Sequence, residues 1–285
     1  MTDFAQATEV EQTGATTFQS QLSPDWEIWG PNGGYLATVA LRAAGVTSER
    51  ARPVSINVHF VGAGRTGTVD LTTRVNRSTK VATSVSVELS QEGRPWLIAT
   101  VWGGDNNLAG LEHHTAARPD APDPDDLPDM STLMAGRDGR PHPFWNNLEQ
   151  RPLAWIDDWD NREPGEPETA CWTQFVPTAT YNDPWIDAGR PLVLIDLDSW
   201  PATSRAHTGE LEHYAPTIEL TARFLGSTAD EAWLLGEARS PAATDGIVVA
   251  SSQVWTRDRR LVALGGSTLL CRPATRRPDR GNESA

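Results

Sequence analysis

The sequence predicts an α+β protein in which an antiparallel sheet wraps around a central helix, and it predicts that unit twice. Three observations carry this. The stretch from Tyr35 to Ala44 is apolar nearly all round, with Arg42 its one charge. Four strand-like segments follow it within about sixty residues. The same series then returns 163 to 165 residues later.

Each element has a local reason. A helix that is apolar on every side belongs inside a protein, not on its surface. The glycines of Pro31-Asn32-Gly33-Gly34 precede it, and Gly45 reads as its C-cap. The segments 53–61, 68–76, 81–90 and 94–102 read as strands. In the third, Val81, Thr83, Val85, Val87 and Leu89 fall on one face, while Ser84, Ser86, Glu88 and Ser90 fall on the other. Glu92-Gly93-Arg94 reads as a hairpin turn.

Residues 105–141 interrupt the pattern with a run of proline and aspartate, the composition of a linker or surface loop. Beyond it, the segment 196–206 falls where 32–43 stood, and 216–226 falls where 53–64 stood. The expected organisation is therefore an N-terminal unit over 1–104, a linker over 105–141, a C-terminal unit over 142–272 and a disordered tail over 273–285. Two copies at one offset suggest a pseudo-twofold pair, because a solenoid needs more and shorter repeats.

Composition narrows the function classes. Of the 285 residues, 38% are hydrophobic and 22% charged, which suits an ordinary globular chain. A net charge of −14 argues against nonspecific binding of nucleic acid or anionic lipid. No apolar run reaches the length of a membrane span, and the polar start lacks the pattern of a secretory signal. A cytoplasmic protein is expected. Cys171 and Cys271 stand far apart and read as small buried residues, not as a disulfide or metal pair.

Four stretches are candidates for chemistry. Gly62-Ala63-Gly64-Arg65-Thr66-Gly67 has dinucleotide-fingerprint spacing, but a strand pattern follows where a helix is required, so it reads as a hairpin turn. The Gly33-Gly34-Tyr35 helix start offers bare amides to a developing oxyanion; a glycine turn made for close packing is the equal alternative. Asp196 and Asp198 precede the expected second helix. Asp198 lies nearer its start at Trp200-Pro201 and suits capping, which leaves Asp196 for activating water. Thr217 shares the polar face of its strand with Glu219, Thr221 and Arg223, where threonine is also simply a good β-former.

Taken together, these stretches resemble the acyl-CoA thioesterase II-like family of double hot-dog thioesterases over roughly residues 18–272. The resemblance lies in the order and spacing of GPNGGYLATVALRAA, PVSINVHFVGAG, the acidic proline-rich connection and WTRDRRLVA, with Asn57 standing at a family histidine. It implies two hot-dog sheets fused as a pseudo-dimer, an acyl-CoA or other acyl thioester as substrate, and no metal or cofactor. It also implies an Asp, a Thr and a Gln around a water. These positions fall on Asp196, Thr217 and Ser267, the last a departure, because serine is shorter and lacks the amide hydrogens. Gln253 lies on the preceding strand without an assigned role. Gly33, Gly34 and Tyr35 become the oxyanion and substrate stretch, and Arg42, Arg74 and Arg77 candidate contacts for CoA phosphates. A non-catalytic acyl-CoA sensor is the alternative reading, favoured by Ser267. A dehydratase with His59 as its base is a third. Exposed sheet edges leave further self-association open.

Overall fold

The computed structural model describes residues 1–136, 142–158, 161–207 and 213–274. The chain opens with a short helix α1 (Phe4–Ala7) and the strands β1 (Glu11–Gln12) and β2 (Thr17–Leu22). Helix α2 (Gly33–Ser48) follows, then β3 (Arg52–Phe60), β4 (Gly67–Ser78), β5 (Ala82–Gln91) and β6 (Arg94–Gly104). A one-turn helix α3 (Met130–Leu133) lies in the connection to β7 (Leu148–Pro152) and β8 (Glu168–Phe175). Then come α4 (Pro184–Asp187), α5 (Gly189–Leu197), α6 (Ser199–Ser204), β9 (His213–Tyr214) and β10 (Thr217–Phe224). The chain continues through β11 (Leu234–Thr244), β12 (Ile247–Thr256), β13 (Leu261–Leu270) and β14 (Arg272–Pro273). Residues 275–285, most of the expected tail, lie outside the described residues.

Twelve strands form one sheet in the order β1-β2-β4-β5-β6-β3-β10-β13-β12-β11-β8-β7. The order reads alike from both ends: β3 and β10 pair antiparallel at its centre, with Asn57 opposite Thr221. Each half curls around its own helix. Helix α2 packs on β4, β5 and β6, and the α5–α6 pair packs on β11, β12 and β13. This is the pair of fused hot-dog units that the sequence predicts. The four strands expected in the first half are present, each within a few residues of its expected ends. The turn of Glu92 and Gly93 is left-handed at both residues (φ 53° and 73°), as a tight two-residue hairpin requires. Strand β2 precedes the four segments that read as strands and is not among them. Its alternating burial, with Phe18, Ser20 and Leu22 inward, is the signal that reveals it.

The helices correct the sequence reading. Gly45 does not cap α2. The helix runs on to Ser48, and Glu49 (φ 53°) makes the left-handed turn. Gly45 is a packing residue, because a Cβ there would come within 2.6 Å of the Trp185 ring. The second helix does not begin at Trp200. It begins at Gly189, and α5, Asp198 and α6 together span 16 residues, the length of α2. The apolar run Leu192–Ile195 is buried against α2, and this burial sets where the helix lies. Asp196 is therefore in the last turn of α5, with α6 starting three residues later at Ser199. Asp198 takes the N-cap position of α6, as expected, but its side chain makes no capping hydrogen bond.

The two helices run antiparallel and nearly touch at two glycines. A Cβ on Gly34 would lie 2.6 Å from the Val193 Cα, and one on Gly189 would lie 2.4 Å from the Thr38 Cγ2. Only glycine permits that approach.

In the connection after β6, Trp172 Nε1 donates to the Pro122 carbonyl and the Arg118 guanidinium lies over the Trp172 ring. Neither cysteine forms a disulfide; Cys171 is buried and Cys271 half-buried.

Candidate active site

The close helix crossing brings together groups 164 residues apart. Asp196 Oδ2 accepts from the Gly34 amide at 3.0 Å and from Asn32 Nδ2 at 3.2 Å. Its other oxygen, Oδ1, accepts from Thr217 Oγ1 at 3.0 Å. Asn32 also caps α2, its Oδ1 accepting from the Tyr35 amide at 3.0 Å. One side chain thus ends the helix and clasps the carboxylate. Gly33 completes the fit, since a Cβ there would lie 2.9 Å from Asp196 Oδ2.

Thr217 reaches Asp196 through a β-bulge. In an even strand, Thr217 and Glu219 would point the same way. The ladder between β10 and β13 instead steps from Thr217↔Leu269 to Glu219↔Thr268, so Ile218 is an extra residue. Thr217 then shares the inner face with buried Leu269. Glu219 turns outward, where Asn57 and Thr268 donate to it. Bulges re-aim side chains beside active sites. The expected polar-face placement of Thr217 is corrected by this one residue.

These groups border a cavity of about 310 Å³. Asn32, Gly33, Asp196 and Thr217 line one side, and Leu36, Phe60, Trp200 and Leu269 supply apolar walls. Among the described residues, Asp196 is the one charged side chain in the lining. Burial raises its pKa above the ordinary carboxylate value; the bonds from Thr217, Gly34 and Asn32 pull the other way. Gly62 and Gly64 form part of the rim. The string read as a plain turn therefore contributes to the cavity, and a Cβ on Gly64 would fall within the Trp96 ring.

Other predicted residues lie elsewhere. Tyr35 is fully buried; its hydroxyl donates to the Ala7 carbonyl at 2.7 Å and accepts from the Ser23 amide. Burial pushes that phenol up to about 12. It belongs to the core and not to the cavity. Ser267, on β13 between Leu220 and Ala250, is 3% exposed and outside the cavity lining. Its Oγ has no hydrogen-bond partner among the described residues. Gln253 is exposed on β12, also away from this cavity. Arg42 is committed to α1, donating to the Ala5 carbonyl and to Thr8 Oγ1. Arg74 and Arg77 are exposed on β4 and line no part of the cavity. His59 is exposed on β3 opposite Glu219, outside the lining, which leaves a dehydratase without its base. Asn32 is the residue that sequence reasoning missed; its signal was an Asn directly before a Gly-Gly helix start.

Residues 22–104 match the family model of the acyl-CoA thioesterase N-terminal domain. Residues 120–269 match that of the acyl-CoA thioesterase C-terminal domain. The chain belongs to the acyl-CoA thioesterase family. Its hot-dog fold recurs in solved structures of low identity. A conserved protein of unknown function with a hot-dog fold from Alicyclobacillus acidocaldarius superposes with a TM-score of 0.80 at 21% identity, covering 94% of this chain and 97% of that one. Acyl-CoA thioesterase II TesB2 from Mycobacterium marinum superposes with a TM-score of 0.77 at 20% identity, covering 95% and 99%. None of the curated proteins matches the chain. Among the described residues, no helix of this thioesterase-family chain is long and apolar enough to cross a membrane.

Proposed function

We propose that this protein hydrolyses an acyl thioester, with acyl-CoA as the substrate, by means of a water activated by Asp196. The observation that carries the reading is the three-donor clasp on a carboxylate at the wall of an apolar cavity. Oδ2 is occupied by two donors, so Oδ1 is the oxygen that takes the proton from water. Thr217 gives its own proton to Oδ1, which leaves its lone pairs to receive a hydrogen from the same water. A base needs a pKa drawn toward the working pH, and burial moves Asp196 in that direction.

The Gly34 amide is spent on Asp196, so the oxyanion falls to Gly33. Among the described residues nothing accepts from the Gly33 amide, which lies in the first turn of α2 and lines the cavity. A helix N-terminus favours the negative oxygen there. The amide hydrogens that Ser267 lacks are supplied by Asn32, which is why the departure at Ser267 does not dismantle the site. Residues 1–104 and 142–272 act as its two halves, and the protein works in the cytoplasm as part of fatty-acid metabolism.

The test is release of free thiol from acyl-CoAs of several lengths. Asp196→Asn retains one acceptor for the Gly34 and Asn32 donors, so the melting temperature stays within a few degrees of wild type. Thiol release falls about 10²–10⁴-fold, the range of a lost general base. Wild-type activity climbs with pH as Asp196 loses its proton, and that limb disappears in the variant. The second reading, an acyl-CoA sensor, draws on the absence of Ser267 from the cavity. Tight acyl-CoA binding by the wild type with no thiol release selects it and sinks the hydrolase.

A further inference from the structure

The catalytic cavity has a neighbour. The run from the end of α5 through α6 leads from one to the other: Asp196 lines the first cavity, Trp200 lines both, and Thr203 lines only the second. Strand β13 runs the same way, with Leu269 in the first lining and the adjoining Cys271 in the second. The second cavity measures about 210 Å³, and the exposed β11–β12 hairpin, including Ala243, forms part of its lining. Among the described residues, Trp200 is the one common to both linings. It packs with Cys271 onto a small apolar cluster of Ala215, Val248 and Leu269, the partition between the two spaces.

We propose that the Trp200 indole ends the acyl pocket and so sets the length of chain this protein accepts. This rests on the thioesterase reading and adds the substrate class: acyl chains short enough to stop at the indole. The Asp196–Thr217 pair fixes where the thioester carbonyl must sit, and Trp200 lies one helical turn beyond Asp196 on the same wall. A chain directed along α6 therefore meets the indole face first. Behind it lies apolar space that a smaller side chain would join to the first cavity.

The experiment is a kcat/KM profile for straight-chain acyl-CoAs from butyryl to palmitoyl. In Trp200→Ala the optimum moves to longer chains. Beyond the wild-type optimum, each further methylene that reaches the second cavity raises kcat/KM about fourfold, the factor equivalent to ~0.8 kcal/mol per buried methylene. Trp200→Phe, which preserves most of the packing, shifts the profile the same way by less. Ala243→Phe fills the second cavity from an exposed position. It leaves the wild-type profile unchanged and returns Trp200→Ala to that profile. A Trp200→Phe protein that melts like wild type and retains its profile overturns the proposal. So does a long-chain gain in Trp200→Ala that survives Ala243→Phe. Calorimetric Kd values on Asp196→Asn protein, with and without Trp200→Ala, read the same length preference without turnover. Absence of thiol release would then sink the hydrolase reading alone, and equal Kd profiles would sink this one.

Discussion

The first turns of α2 and α5 hold corresponding places in the two halves, yet one faces a cavity and the other is filled. At α2, Gly33 borders the cavity, Gly34 packs against the Val193 backbone, and Asp196 reaches in from the opposite helix. At α5, the second residue is Arg190, fully buried. Its guanidinium pairs with Asp187 at 3.4 Å and donates to the carbonyls of Thr228, Glu231 and Ala232. Asp187 in turn accepts from the Thr228 amide and the Ser227 hydroxyl. One helix opening thus presents the Gly33 amide to a ligand-sized space, while its counterpart spends its polar groups on a buried ion pair. The corresponding opening of the second copy is filled by that copy's own Arg190 side chain.

The largest expected effect comes from unsealing the second opening. Arg190→Met removes one partner of a buried pair and strands three carbonyls. It should cost about 3–5 kcal/mol of stability, read from denaturant midpoints, with kcat/KM of the folded fraction unchanged. Loss of turnover at unchanged stability would instead make this opening a second functional site.

The next effect compares two acids of one helix pair. Asp196 has three donors. Asp198, two residues on and 7% exposed, has none among the described residues, and burial alone pushes its pKa up to about 7. Gly236 makes room for it, since a Cβ there would lie 2.9 Å from Asp198 Oδ2. A carboxyl group whose pKa is raised on folding favours the folded state most when protonated. Its contribution is whole below pH ~4 and fades as pH rises toward about 7. Asp198→Asn should therefore gain roughly 2–4 kcal/mol over wild type at pH ~8 and little at pH ~4. Equal pH dependence in the two proteins would mean that the carboxyl group has polar company.

The smallest effect concerns the open end itself. Gly34→Ala drives a methyl group into the α5 backbone and should cost about 1–3 kcal/mol. Activity should fall by a larger factor than the remaining folded fraction explains, because the same shift parts Asp196 from its amide donor. A variant with normal activity would separate the helix crossing from the chemistry.

Local periodicity was enough to reveal the strands and the buried helix of the first half, since alternation and uniform apolarity are written within a few residues. The duplication was legible for the same reason, although the second helix was placed too late. The apolar run at Leu192–Ile195 that moves it earlier matters only because α2 lies against it. At the candidate site, Asp196 and Thr217 were legible as residues but not in their placement. Thr217 points inward only through the extra Ile218, which alternation cannot foresee. Tyr35 sat beside the right glycines, yet its ring belongs to the core.

The sequence alone determined the four strands and the buried helix of the first half, that the unit occurs twice, and that a carboxylate and a glycine pair are the groups to watch. It could do so because those features depend on neighbours along the chain. The tertiary structure decided that Asn32 and Gly34 hold Asp196 across 164 residues, that Arg190 closes the matching opening, and that Trp200 stands between two cavities. Those choices depend on how closely two backbones approach and on which side chains then compete for the space between them. Distances of that kind exist only once the chain has folded.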